Sequence, residues 1–209
     1  MIIFIQMINI INKFNLKKNY KGVIMEIKWS KTVSIMPHFK FKRHTNKLAK
    51  LISSYCNIKN LKIDYVVPVL RSGAVPAVYI ANKLNLIKFA PIQPKWITIN
   101  NKRETKILLN SLELLDKNKP LTLLVVEGTY SSGETIRVTL DKIKKTMPNA
   151  KILLACIVAR NTETLPTDIE KSFYAIALNG KKAGKLFIYP WEIKKEKEDH
   201  RDRIPENIF

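Results

Sequence analysis

The sequence predicts an α/β protein with a mainly parallel central sheet covered by helices on both faces. Three observations carry this. Nearly continuous apolar runs recur at IDYVVPVL (63–70), LTLLVV (121–126) and KILLACIVA (151–159), the pattern of strands buried on both faces. Segments of helical periodicity lie between them, with Gly- or Pro-containing turns where the period changes. The 209 residues suit one α/β domain with modest additions, and such a length can bury a substantial core.

The elements follow in chain order. Residues 41–55 carry Leu48, Leu51 and Ile52 at helical spacing among Lys and Ser, which predicts an amphipathic helix ended at residues 57–60. The strand at 63–70 runs through RSGAVP into the helical AVYIANKL, a strand, glycine turn and helix in succession. Residues 92–99 read as extended, and Pro91 and Pro94 mark them as an edge or irregular strand. Residues 100–106 are polar and basic, a loop, and 107–115 read as a short helical segment. The clearest unit is the strand 121–126, a hydroxyl-rich loop 127–133 and a helix 135–146. Ile136, Leu140 and Ile143 share one face of that helix, and Pro148 and Asn149 stop it. KILLACIVA, FYAIAL and KLFIYPW supply further strands before a charged tail.

Composition narrows the function. Cys56 and Cys156 stand far apart without CxxC spacing, and His38, His44 and His200 form no HExxH pattern; they read as core thiols and as packing or surface histidines, with no metal site expected. The formal net charge of +20 favours anionic partners, nucleic acid among them, but the basic residues are spread along the chain and no nucleic-acid-binding motif accompanies them. MIIFIQMINIIN is too short to span a bilayer, which needs about 20 apolar residues, and it lacks the basic start and small-residue cleavage site of a secretory signal. A cytoplasmic protein is the expectation.

Two loops have the chemistry to hold anions. In open α/β sheets, ligands bind beyond the carboxyl ends of the strands, where loops lead into helix N-termini. In GTYSSGET (128–135), backbone NH groups of Ser131, Ser132, Gly133, Glu134 and Thr135, with the hydroxyls of Ser131, Ser132 and Thr135, are placed to wrap a phosphate at a helix start. Glu127, at the strand end, can accept hydrogen bonds from two hydroxyls of a polyol. In the upstream loop, Arg71 offers planar donors to a diphosphate, and Gly73 permits close backbone approach.

VVEGTYSSGET (125–135) resembles the phosphoribosyl pyrophosphate (PRPP) loop of type I phosphoribosyltransferases, and VVPVLRSGAVPA (66–77) resembles that family's pyrophosphate loop. FIYPWE (187–192) and MEIKWS (25–30) are similar to the closing and opening segments of the xanthine/hypoxanthine/guanine branch. The resemblance implies the type I phosphoribosyltransferase fold, with a small hood from the terminal regions. It places that domain at residues 25–192, between an appended segment 1–24 and a charged tail 193–209. It implies transfer of ribose 5-phosphate from PRPP to a nitrogenous base, a 6-oxopurine, with substrate-bound Mg2+ and a homodimer. In this reading Glu127 and Arg71 are catalytic and residues 131–135 hold the 5′-phosphate. Arg71, Ser72 and Gly73 take the pyrophosphate, and Arg160, Phe187 and Tyr189 contact the base.

The chain departs from the family pattern at three places. Gly128 replaces the second acid of the PRPP loop, Ser131 stands where many 6-oxopurine enzymes place an Asp, and Leu186 stands where the branch has a stacking Trp. Tyr130, Phe187 or Tyr189 could supply a substitute aromatic surface. The departures also admit a different outcome, a lapsed enzyme that binds PRPP or a nucleotide in a regulatory or nucleic-acid-associated role. Gly128→Asp, restoring the second acid, is expected to tighten PRPP binding in an intact pocket.

Overall fold

The computed structural model describes residues 33–99 and 102–191. Segment 1–24, MEIKWS, Glu192, tail 193–209 and His200 within it lie outside the described residues. The chain order is β1 (Val33–Ile35), α1 (His38–Lys59), β2 (Tyr65–Pro68), α2 (Ala74–Leu84), β3 (Ile92–Ile99) and β4 (Lys102–Asn110), then β5 (Thr122–Tyr130), α3 (Glu134–Thr146), β6 (Lys151–Arg160), β7 (Lys171–Leu178) and β8 (Leu186–Ile188).

The central sheet is parallel throughout, in the order β2-β5-β6-β7. Parallel bridges Val66↔Phe89 and Val69↔Ile92 bring the start of β3 to the free side of β2. The chain therefore steps from β2 to one side, then returns past it to β5 on the other. That reversal has an energetic basis in the two faces of the strands. Val66, Leu124 and Val126 point into a core with Phe41, Leu48 and Ile52 of α1 and Ala77 and Ile80 of α2. Val67, Val69, Leu123 and Val125 point the other way, against Ile136, Leu140 and Ile143 of α3. All seven of these valines and leucines, Val69 just past the end of β2 included, have no exposed surface; full burial of one such side chain contributes roughly 1.5–3 kcal/mol. A period-2 strand that is apolar at every position can be buried only when helices cover both faces.

The helices obey the same economy. α1 buries Phe41, Thr45, Leu48, Ala49, Ile52 and Cys56, one stripe at helical spacing, and turns its Lys residues outward. Asn60 and Asn85 close α1 and α2 in the left-handed conformation at φ 51° and 55°, where asparagine is tolerated better than most residues. Cys56 and Cys156 are buried free thiols, one toward each side of the sheet. No helix among the described residues is long and apolar enough to cross a membrane.

Three segments differ from their expected form. Residues 102–110 are a strand, not a loop and a helical segment: β4 pairs antiparallel with β3 from Ile92↔Asn110 to Ile99↔Lys102, and only Ser111–Leu114 form a short 3-10 turn. Cross-strand pairing satisfies the backbone along the whole ribbon, a gain invisible to local periodicity. The irregularity that Pro94 announced is a register shift between Gln93 and Pro94. Residues 127–130 belong to β5 because Glu127, Thr129 and Tyr130 pair with Cys156, Val158 and Ala159 of β6, so the loop itself is only residues 131–133. The terminal segments form a separate parallel pair, β1 with β8, extended by Met36 N–H donating to the Ile188 carbonyl at 2.9 Å.

Candidate active site

Where α2 and α3 leave opposite faces of adjacent strands, the loops after β2 and β5 part and leave a crevice at the carboxyl ends, the position at which open α/β sheets bind ligands. A cavity of about 460 Å³ lies there. Arg71 and Ser72 form one wall, Ser131, Ser132, Gly133 and Thr135 another, and Glu127 lies between them. Pro94 of β3 and Trp191 complete it.

Two glycines shape the loops around the crevice. Gly73 opens α2 with a φ of −77°, so conformational freedom is not what it supplies. A Cβ there would stand 2.1 Å from the Val126 carbonyl oxygen and 2.8 Å from that of Val69. The close approach at Gly73 is thus to the strand beneath the loop, and Gly73 is not part of the cavity wall. Gly133 does need its conformation: φ is +78°, and a Cβ would meet the Tyr130 hydroxyl at 2.4 Å. Tyr130 is itself buried, its hydroxyl donating to the Thr164 carbonyl, so its ring supports the 131–133 loop from below. Gly133 caps α3, whose first-turn NH groups and dipole face the loop and favour an anion there.

Glu127 is 5% exposed. Its Oε1 accepts from Ser72 Oγ and from the Gly128 N–H, the latter at 2.8 Å. Burial raises its pKa from 4.5 to about 7, outweighing both hydrogen bonds, which pull it down. Among the described residues it is the only carboxylate in the cavity wall.

The three base-contact candidates separate. Arg160 ends β6, half-buried, with Nη1 donating to Ser131 Oγ at 3.3 Å and Nε buried without a partner. Burial draws its pKa down and Tyr189 opposes this; a guanidinium stays charged under such shifts. Tyr189 is 2% exposed, and its hydroxyl donates to the Gly128 carbonyl at 2.7 Å while bonding Thr129 Oγ1 at 2.7 Å. It ties the C-terminal segment to β5 instead of lining the cavity. Phe187 packs against the α1 and α2 side of the core, with Lys185 Nζ 5.3 Å from its ring centroid, and does not line the cavity either. Trp191, two residues on, does. Its ring stacks on Tyr189 at 4.9 Å and 8° and meets Phe41 edge-on at 4.7 Å. The PWE signature contained Trp191, but only the packing of Tyr189 distinguishes the wall residue from its support. Tyr189→Phe should cost about 1–2 kcal/mol by leaving the Gly128 carbonyl and Thr129 without that hydroxyl, read as a lowered midpoint in urea unfolding.

Residues 34–181 match the phosphoribosyl transferase domain family. The chain belongs to this family. Solved structures agree on the type I fold: a purine phosphoribosyltransferase from Pyrococcus horikoshii is 21% identical, covering 79% of this chain and 98% of its own, with a TM-score of 0.61. A hypothetical protein from Neisseria gonorrhoeae with bound ppGpp is 16% identical, with coverages of 83% and 95% and a TM-score of 0.66. The xanthine-guanine-hypoxanthine phosphoribosyltransferase of Helicobacter pylori is 16% identical, with coverages of 82% and 98% and a TM-score of 0.57. These likenesses carry the fold and not the substrate. No curated protein sequence matches significantly.

Within this phosphoribosyltransferase fold, Gly128 is a crowded position. A Cβ there would stand 3.0 Å from the Ser72 carbonyl oxygen and 3.1 Å from its Cβ. Gly128→Asp therefore requires the Ser72 backbone and Cβ to give way by a few tenths of an ångström, so the expected gain in PRPP affinity depends on whether the 71–73 loop can yield.

Proposed function

We propose that the protein transfers ribose 5-phosphate from PRPP to a 6-oxopurine, releasing pyrophosphate. The observation that carries this reading is the juxtaposition of the two loops on one cavity with Glu127 between them. The 5′-phosphate would sit at residues 131–135, the ribose hydroxyls on Glu127, and the pyrophosphate against Arg71 and Ser72. The base would lie toward Arg160 and Trp191, with the Arg160 guanidinium serving an exocyclic oxygen.

In the reaction the base nitrogen bonds to the anomeric carbon while the bond from that carbon to pyrophosphate oxygen breaks, its electron pair leaving on pyrophosphate and the base N–H proton being released. Positive charge builds on the sugar, so positioning and electrostatics dominate. Arg71 would offset charge on the departing group, and Glu127 would hold the ribose through charge-assisted hydrogen bonds. A magnesium ion would be carried by substrate oxygens, with Glu127 the cavity-wall carboxylate available to face it. Such an ion would neutralise the pyrophosphate charge.

Pyrophosphate release from PRPP and magnesium, measured across guanine, hypoxanthine, xanthine, adenine and orotate, tests the proposal. Release with the oxopurines above the rate without base is the expected result; release with none of the bases would overturn it. A second reading, nucleotide binding without turnover, is motivated by the missing side chain at Gly128 and by the Neisseria neighbour with bound ppGpp. Calorimetric binding of PRPP or ppGpp with no pyrophosphate release would favour it.

A further inference from the structure

The two loops that share the cavity are joined by a contact that neither motif announces. Ser72 Oγ, from the loop after β2, donates to Glu127 Oε1 on β5, 55 residues away in the chain. The same oxygen takes the Gly128 N–H. Room for this contact comes from residue 128. A side chain there would begin 3.0 Å from the Ser72 carbonyl oxygen and 3.1 Å from the Ser72 Cβ, where carbon contacts ordinarily run to about 3.5–4.0 Å. Ser72 thus occupies the space beside β5 that a side chain at 128 would claim.

The other groups around Glu127 leave Ser72 as its side-chain donor. Cys156, its register partner on β6, is a buried thiol whose pKa is pushed well up, first by burial and then by Glu127 itself, and it stays neutral. Arg71 lies in the cavity wall and is exposed. Two donors converging on one oxygen restrict rotation of the carboxylate and give its second oxygen a set direction.

We propose that Ser72 is the positioning residue for Glu127, and that Ser72 and Gly128 are a matched pair in which the absent side chain admits the hydroxyl that aims the carboxylate at the ribose. The inference rests on the phosphoribosyl-transfer reading for its ligand, but not for the contact. A molecule spanning both loops meets one coupled unit: whatever engages residues 71–72 also sets the orientation of Glu127.

The test has two arms. In the ligand-free protein, the Glu127 carboxyl is titrated by carbon-detected NMR in the wild type and in Ser72→Ala. The hydroxyl favours the ionised form, so its removal should move the midpoint upward; an unchanged midpoint would overturn the proposal. In the second arm, PRPP affinity with magnesium is measured by calorimetry for Ser72→Ala, Gly128→Asp and the double variant Ser72→Gly/Gly128→Asp. Ser72→Ala should weaken binding about tenfold, the worth of one hydrogen bond to a charged group, with its melting temperature near that of the wild type. The double variant should bind more tightly than Gly128→Asp alone, since glycine at 72 removes the Cβ that would stand 3.1 Å from the added side chain, although the carbonyl oxygen at 3.0 Å remains; a double variant no tighter than Gly128→Asp overturns the matched pair. If the wild type binds no PRPP, the functional reading fails while the titration still decides the contact.

Discussion

Glu127→Gln should lower turnover about ten- to hundredfold while making the ligand-free protein more resistant to unfolding above neutral pH. The first effect follows from the proposed reaction, in which the variant loses charge-assisted hydrogen bonds to the ribose worth roughly 1.5–3 kcal/mol. The second follows from burial. The folded pKa of about 7 lies above the unfolded value of 4.5, so between these values the native state holds a proton that the unfolded chain has released. The stability contributed by this group is complete below pH 4.5 and is lost as pH rises through 7, by about 3 kcal/mol in all. Glutamine cannot ionise and escapes that loss. Exposed carboxylates with lowered pKa, such as Asp168 held down chiefly by Lys144, act in the opposite sense in both proteins, so the difference between wild type and variant isolates Glu127. Urea unfolding at pH 4.5 and pH 8 should show the variant gaining on the wild type at the higher pH; parallel pH profiles would mean that Glu127 is not held protonated by its surroundings.

Gly73→Ala should destabilise the fold by about 3 kcal/mol, near the upper end of what overpacking costs. The added methyl would sit 2.1 Å from a carbonyl oxygen of β5, and that strand is central and buried, so the shift must fall on the 71–73 loop and α2. For a domain of this size the melting temperature should drop by roughly 6–12 °C. Calorimetric melting checks this directly. A variant melting with the wild type would show that α2 can lift from the sheet without loss, in which case the close approach at Gly73 is not a condition of the fold.

These two residues also mark the boundary between sequence and structure. The strands at 63–70, 121–126 and 151–159 were legible because a run that is apolar at every position has one good solution, burial under helices on both faces. Arg71 and Ser131 to Thr135 were legible as anion-binding candidates because their chemistry is local: donors at a helix start or on a planar head act wherever the loop points. The β3–β4 ribbon was not legible, since pairing across a turn gains from partners that local periodicity ignores. Nor was the division of labour at the C-terminal aromatics. Tyr189, Phe187 and Trp191 are similar in type, and only packing places Trp191 at the cavity and fixes Tyr189 beneath it by two hydrogen bonds. Composition could say that Gly128 lacks a carboxylate, whereas the reason for the gap, a serine from another loop filling it, depends on two strands lying side by side. The sequence by itself determined the sheet, its covering helices and the two loops proposed to hold anions, because each follows from short stretches of residues. The tertiary structure decided the elevated pKa of Glu127, the tight seat of Gly73 and the Ser72 contact, because burial and close approach are properties of neighbours brought together from distant parts of the chain.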